Sequence, residues 1–259
     1  MAAPTYVTAS TGTTDSTGAW THTCAAPGAA GRLILVQVFQ DGTGTSHTVT
    51  GATNINALDG TANTWTEIPG TAPNGFPGSA GFFAIYAGRS TGTSAPTISG
   101  GNDAGNDLYI RAYEFQDAST GTTWEAVFEN DDSSNPGSTP GSIVTATSAT
   151  ASDAIVTTLG VDRLALNFLA INDDNPFAGF TGESGGTWTT RASYAESGGT
   201  DGAIYLITAP MPSAGTIDGG TGSITDSDVW ITAGFAIIGT TVAQNYVPKS
   251  SPYPQILPQ

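Results

Sequence analysis

The chain predicts an all-β fold, a jelly-roll-type β-sandwich built from an internal sequence duplication, on three observations. The first is composition: 34 glycines, abundant Thr and Ser, and only 11% charged residues in 259 positions. That mixture favours short strands joined by many turns. The second is periodicity. No window carries apolar residues sustained at three- and four-residue spacing, so helix should be nearly absent. The third is a repeat. Arg32-Leu33-Ile34-Leu35 returns 131 positions later as Arg163-Leu164-Ala165-Leu166, and Trp65-Thr66 returns 123 positions later as Trp188-Thr189. Gly81–Tyr86 and Leu108-Tyr109-Ile110 return 121 positions later as Gly202–Ile207 and Val229-Trp230-Ile231. Four blocks in one order define two halves, about 5–117 and 142–240, within a sandwich spanning 1–241.

Residues 5–25 read as one or two strands, with Trp20 and His22 on one face and Thr21 and Thr23 on the other. Pro27-Gly28 turns the chain into the central strand. There Leu33, Leu35 and Phe39 share one face and Ile34, Val36 and Val38 the other. The echo keeps the first set as Leu164, Leu166 and Phe168 but places Ala165 and Asn167 on the second face. The extra apolar face of the first copy therefore needs cover from a loop or a neighbouring subunit. Residues 41–60 read as a loop with a short Val49 segment. Trp65 opens a strand that ends at Pro69-Gly70, and a Gly/Pro-rich surface loop follows over 70–80. Phe82–Ala87, Thr97–Ser99 and Leu108–Phe115 complete the first half, and 117–142 is a turn-rich divider. Each copy offers about five strands. The two copies are expected to intertwine as one sandwich, with two side-by-side sandwiches as the alternative.

The formal charge is −16, and Arg32, Arg89, Arg111, Arg163, Arg191 and Lys249 are the only cationic side chains. Nucleic-acid binders use Lys and Arg to displace phosphate counterions, so no nucleic-acid partner is expected. An anionic membrane surface is disfavoured for the same reason. Cys24 is the single cysteine, which rules out an internal disulfide and suits a small buried core residue. Residues 1–6 lack a basic and an apolar signal region, so synthesis in a cytoplasm without a signal peptide is expected.

His22 and His47 are the only histidines, and no nucleophile–histidine–carboxylate arrangement is legible around them. Glu125 and Glu129 on one strand face would stand roughly 13 Å apart. That exceeds the ~5–9.5 Å of glycosidase carboxyl pairs. No enzyme and no cofactor are expected. Asp131-Asp132 and Asn172-Asp173-Asp174-Asn175 offer the oxygens Ca²⁺ prefers, yet neither has the EF-hand pattern, and no metal site is assigned.

If Leu108, Ile110 and Ala112 face the core, Tyr109, Arg111 and Tyr113 form a stripe on the opposite face, with Trp230 at the matching position of the second copy. Aromatics beside Arg suit a protein interface or a glycan. From Pro248 the chain holds four prolines in twelve positions. Residues 242–259 therefore read as an extended arm, the last twelve reaching roughly 37 Å at ~3.1 Å per residue. Tyr253, Ile256 and Leu257 are its anchors, expected to bind an adjacent subunit or else to fold back over Ile34, Val36 and Val38.

The succession of Arg32–Asp41, Trp65-Thr66, Phe82–Tyr86 and Leu108–Ala112, with its echoes, resembles duplicated jelly-roll structural proteins of tailed bacteriophages and of some bacterial surfaces. It covers roughly residues 5–240. The resemblance implies a non-enzymatic virion protein, a capsid decoration (cement) or tail component. Its implied partners are the major capsid or tail protein and copies of itself in an oligomer or lattice. The alternative is a carbohydrate- or receptor-binding module of a phage tail, fibre or cell surface, with a glycan as its ligand.

Overall fold

The computed structural model describes residues 2–15, 18–41, 47–68, 81–102, 107–129, 142–196 and 202–240. Strict alternation of side chains makes strands throughout. The first half contains β1 (Thr5–Ala9), β2 (Thr13–Asp15), β3 (Ala19–Thr23), β4 (Leu33–Asp41), β5 (His47–Thr53), β6 (Ile55–Asn56), β7 (Thr66–Glu67), β8 (Gly81–Ser90), β9 (Thr97–Asn102) and β10 (Leu108–Gln116). A one-turn helix, α1 (Trp124–Val127), leads to the second half. That half contains β11 (Phe128–Glu129), β12 (Ser142–Ser152), β13 (Val156–Thr158), β14 (Arg163–Ile171), β15 (Thr189–Glu196), β16 (Gly202–Met211), β17 (Gly215–Ile217) and β18 (Thr221–Ile238). The segment expected to be mostly loop, 41–60, instead holds the seven-residue strand β5.

Among the described residues the strands form two large antiparallel sheets and two small ones. The first large sheet runs β1-β10-β4-β8-β6, with β2 also on β10 and β7 on β8. The second runs β11-β18-β14-β16-β15, with β12 also on β18. Small sheets β3-β9-β5 and β13-β17 accompany them. Each large sheet is drawn from one half of the chain, so the halves do not interleave strands. The central trios share one order, β10-β4-β8 and β18-β14-β16.

The two trios differ in register by one residue at their last strand. Leu33 lies opposite Phe115, and its echo Leu164 lies opposite Ile237. The sequence repeat aligns Phe115 with Ala236 instead. Because a strand alternates faces at every residue, this single step moves each aligned side chain to the other side of the sheet.

Three apolar layers result. The largest lies between the two large sheets: Leu33, Leu35, Phe39, Phe83, Ile85, Tyr109 and Tyr113 meet Leu166, Phe168, Ile204, Leu206, Ile231 and Phe235. Tyr113 sits 5.8 Å from Phe168, ring to ring, and a Cβ at Gly202 would touch the Tyr109 ring at 2.6 Å. The outer face of the first large sheet, Ile34, Val36, Val38 and Ile110, is covered by Trp20 of β3 and Ile98 of β9, with Val49 and Ala52 of β5 against it. The cover expected from a loop or a neighbouring subunit is instead the chain's own small sheet. The outer face of the second large sheet carries Leu169, Ile171, Tyr205, Ile207 and Trp230. It packs under Phe180, Trp188, Ile217 and Ile224. The β12–β18 ribbon supplies part of that roof, because its pairing jumps from Ser148–Asp228 to Thr150–Ser223.

Asn167, on the second face of its strand, is fully buried. Its Oδ1 accepts the Ala154 amide at 2.8 Å and its Nδ2 donates to the Ala154 carbonyl at 3.0 Å. It thereby satisfies a backbone segment that has no ladder partner there.

Candidate functional site

The aromatic stripe predicted on β10 does not face outward. Tyr109 and Tyr113 are fully buried in the core between the large sheets, while Leu108, Ile110 and Ala112 are buried on the other face of the same strand. β10 belongs to an inner layer, and both its faces are covered. Tyr109 stacks on Phe39 at 5.7 Å. The Tyr113 hydroxyl donates to Gln37 Oε1 at 2.9 Å, and burial pushes its pKa up. Trp230 is buried on the opposite side of its sheet from the face Tyr109 occupies, and its Nε1 donates to Ser148 Oγ at 3.1 Å. Arg111 is half-buried at the seam between the halves. Its Nε donates to the Ser10 carbonyl at 3.0 Å, and its guanidinium also donates to the Ser193 carbonyl of β15. Tyr253, Ile256 and Leu257 lie outside the described residues, as does the Asp131-Asp132 turn.

One constellation escaped the sequence. His22, 1% exposed, shares a hydrogen bond of 2.8 Å between Nε2 and Ser10 Oγ and one of 2.9 Å between Nδ1 and Thr13 Oγ1. Ser10 Oγ also accepts the Ala112 amide at 3.0 Å. Either hydroxyl can donate or accept, so one ring nitrogen accepts while the other donates and the ring is held as a neutral imidazole. Burial, with Arg111 nearby, lowers the His22 pKa to about 4. The inward alternation of Trp20 and His22 was readable, but the partners come from β2 and from the residue just after β1. Neutral and sealed, the trio ties β1, β2, β3 and β10 together. His47 opens β5.

The carboxylates are likewise tied to backbone. Glu125 lies in α1 and Glu129 in β11, so they share no strand face. Glu129 Oε1 accepts the Leu159 and Gly160 amides at 3.0 and 3.4 Å and lies 3.0 Å from Arg163 Nε, off the hydrogen-bonding direction. Arg32, the repeat partner of Arg163, pairs with Glu114 at 3.6 Å. Asp153 accepts the Trp188 indole proton at 2.8 Å, and burial raises its pKa against that hydrogen bond. Gly182-Glu183-Ser184-Gly185-Gly186 has the spacing of a nucleophile elbow. That motif needs a strand-to-helix turn, whereas Ser184 sits exposed in a β-bridge with Asp218. In the Asn172–Asn175 loop, Asn175 Nδ2 donates to Asp228 Oδ2 at 2.5 Å. Among the described residues, no three His, Cys, Asp or Glu side chains are grouped to hold a metal ion.

Among the described residues the surface includes two clefts and an apolar projection. A groove of about 360 Å³ is lined by small and hydroxyl residues, including Thr150, Thr181, Thr221 and Ser223. A second cleft of about 270 Å³ lies where Leu33, Phe115 and Ala118 meet Thr240. Leu159 is 71% exposed at a loop tip, with Val161 and Ile155 exposed beside it in sequence. Among the described residues no helix is long and apolar enough to cross a membrane. Compared with protein families, with curated proteins and with solved structures, the chain matches none.

Proposed function

We propose that the chain is a non-enzymatic structural protein of a tailed-phage virion, a capsid decoration or cement subunit that attaches by surface complementarity. In this reading the two halves descend from a duplicated jelly-roll ancestor. The observation that carries it is the union of the halves: two sheets of like strand order joined face to face through one apolar core. Such a layered block resists deformation, because packed interiors have low compressibility. The side chains most apt for chemistry, His22, Ser10 and Asp153, are engaged in holding strands to one another. What such a body can present to a partner is shape and exposed aliphatic surface, as at Leu159 and Val161.

The test is to isolate particles from the producing host and count this chain on them by quantitative mass spectrometry and electron microscopy. Regular occupancy of shell or tail positions is the expected result. Absence from particles, together with saturable binding on a glycan array, would replace this reading with the carbohydrate-binding one.

A further inference from the structure

Two of the chain's six cationic side chains converge at the seam between β1 and β15. Arg111 shares the core-facing side of β10 with Tyr109 and Tyr113, and its guanidinium reaches across to the Ser193 carbonyl of β15. Arg191 stands two positions before Ser193. It is the extra residue of a bulge, since Thr190 pairs with Ile207 and Ala192 with Leu206. Bulges re-aim side chains, and here Arg191 Nε donates to Thr208 Oγ1 at 2.8 Å. Thr208 alternates with Leu206 and Ile204 of the inter-sheet core, so Arg191 leans to that side. Tyr6 of β1 reaches the same seam, its ring centroid 6.1 Å from that of Phe115. Burial raises the pKa of its hydroxyl, and Arg111 and Arg191 both pull it down, which places the two guanidiniums around one phenol. We propose that Tyr6, Arg111 and Arg191 form a binding site for an oxyanion, the carboxylate or phosphate group of a small ligand. The inference goes beyond the virion reading and stands or falls independently of it.

Charge, access and donor geometry select the ligand. The chain holds 22 Asp and Glu, yet among the described residues the two salt bridges belong to Arg32 and Arg163, and no carboxylate pairs with Arg111 or Arg191. Two like charges held together without a counterion repel, and a bound anion reverses the sign of that interaction. The same pair excludes a cation. Access is open, because Arg191 is exposed and Arg111 and Tyr6 are partly so. Arg191 engages its Nε, which leaves the terminal fork to grip two oxygens at once. Arg111 is held in place by the Ser10 and Ser193 carbonyls and presents its remaining nitrogen to the same seam. The Tyr6 hydroxyl adds a neutral donor. The overall charge of −16 repels anions at long range. Salt screens that field over about 8 Å, whereas two guanidiniums act at contact distance.

The test titrates the full chain with inorganic phosphate and, separately, with glucuronate at pH 7. Isothermal titration calorimetry reads the binding, and sodium chloride holds the ionic strength constant. The expected result is saturable binding of at least one anion, with a Kd of about 1 mM or tighter. Binding of phosphate alone identifies a tetrahedral ligand, and binding of glucuronate alone a carboxylate. Arg191→Gln should weaken that binding at least about tenfold, because it removes a charge-assisted bidentate contact. Tyr6→Phe should weaken it about threefold, the loss of one neutral donor. Circular dichroism should be unchanged in both variants. Arg32→Gln, whose arginine pairs with Glu114 elsewhere, should bind as the wild type does. No saturable binding of either anion would overturn the proposal. So would Arg191→Gln binding as tightly as wild type, or an equal loss in Arg32→Gln, which would reduce the effect to net charge.

Discussion

Gln37 and Leu169, 132 positions apart, are joined inside the apolar core: Gln37 Nε2 donates to the Leu169 carbonyl at 2.9 Å. The same amide accepts the Tyr113 hydroxyl through Oε1 at 2.9 Å. Gln37 is fully buried on β4 and Leu169 lies on β14, so this polar contact bridges the two large sheets. A one-residue slide of one sheet over the other would break it, whereas the surrounding aliphatic contacts tolerate small shifts. Gln37→Leu should therefore lower stability by about 1–3 kcal/mol, because it strands the Tyr113 hydroxyl. Adding Tyr113→Phe should cost less than the sum of the two single changes. Urea denaturation of the four proteins measures the coupling, and strict additivity would contradict the network.

The shared core makes each half dependent on the other. Separated, each large sheet would expose a full face of fully buried Leu, Ile and Phe side chains, each contributing about 1.5–3 kcal/mol when removed from water. Neither residues 1–120 nor residues 142–259 expressed alone should show a cooperative thermal transition. Mixing the two fragments should restore one.

His22 gives stability a pH dependence of known sign. Its folded pKa, about 4, lies below the ordinary 6.5. Above 6.5 both states are neutral and the residue contributes no slope. Between 6.5 and about 4 the unfolded chain takes up a proton that the folded chain refuses, so stability falls as pH falls. The slope approaches about 1.4 kcal/mol per pH unit and levels off below the folded pKa. Asp153, whose pKa is raised, works in the opposite direction. The difference between wild type and His22→Asn cancels it. The variant should be less stable at pH 7 yet show the flatter profile, and parallel profiles would rule out this role for His22.

Glu129 anchors the loop that presents Leu159. Glu129→Ala would free the Leu159 and Gly160 amides and remove the carboxylate beside Arg163. A loss of about 1–3 kcal/mol is expected. Amide exchange should quicken at residues 159–161 and remain unchanged in the distant β3-β9-β5 sheet.

Gly185 meets two constraints at once: its φ is +82°, and a Cβ there would stand 1.8 Å from the Thr216 carbonyl oxygen. Gly185→Ala should cost at least about 2 kcal/mol, combining left-handed strain with a backbone clash. Gly215→Ala, in open space and next to Thr216 in the chain, should be close to neutral. Melting temperatures of the pair distinguish a local steric effect from general intolerance of the segment.

Much of the architecture was written locally. The two apolar faces of Leu33–Phe39, the inward Trp20 and His22 and the scarcity of helix all follow from neighbours one or two positions apart, whose alternation the backbone imposes. Three of the four repeated blocks likewise marked the strands that became the central trios, since a repeated pattern of faces can be read without knowing what covers them. Tertiary structure decided the rest. Tyr109 and Tyr113 looked like an outward stripe because alternation identifies two faces but does not say which face is wet. Residues of a second sheet more than fifty positions further along the chain, Phe168, Tyr194 and Gly202 among them, closed over them. Trp230 lies on the outer face of its sheet while Tyr109, at the matching repeat position, lies on the inner face, because a one-residue step in register is invisible until strands pair, and that step inverts every side chain on the strand. His22 found Ser10 and Thr13, and Gln37 found Leu169, through contacts that residue type does not encode. Hydrogen-bond partners are selected by proximity in space, and proximity between distant segments exists only once the sheets have stacked.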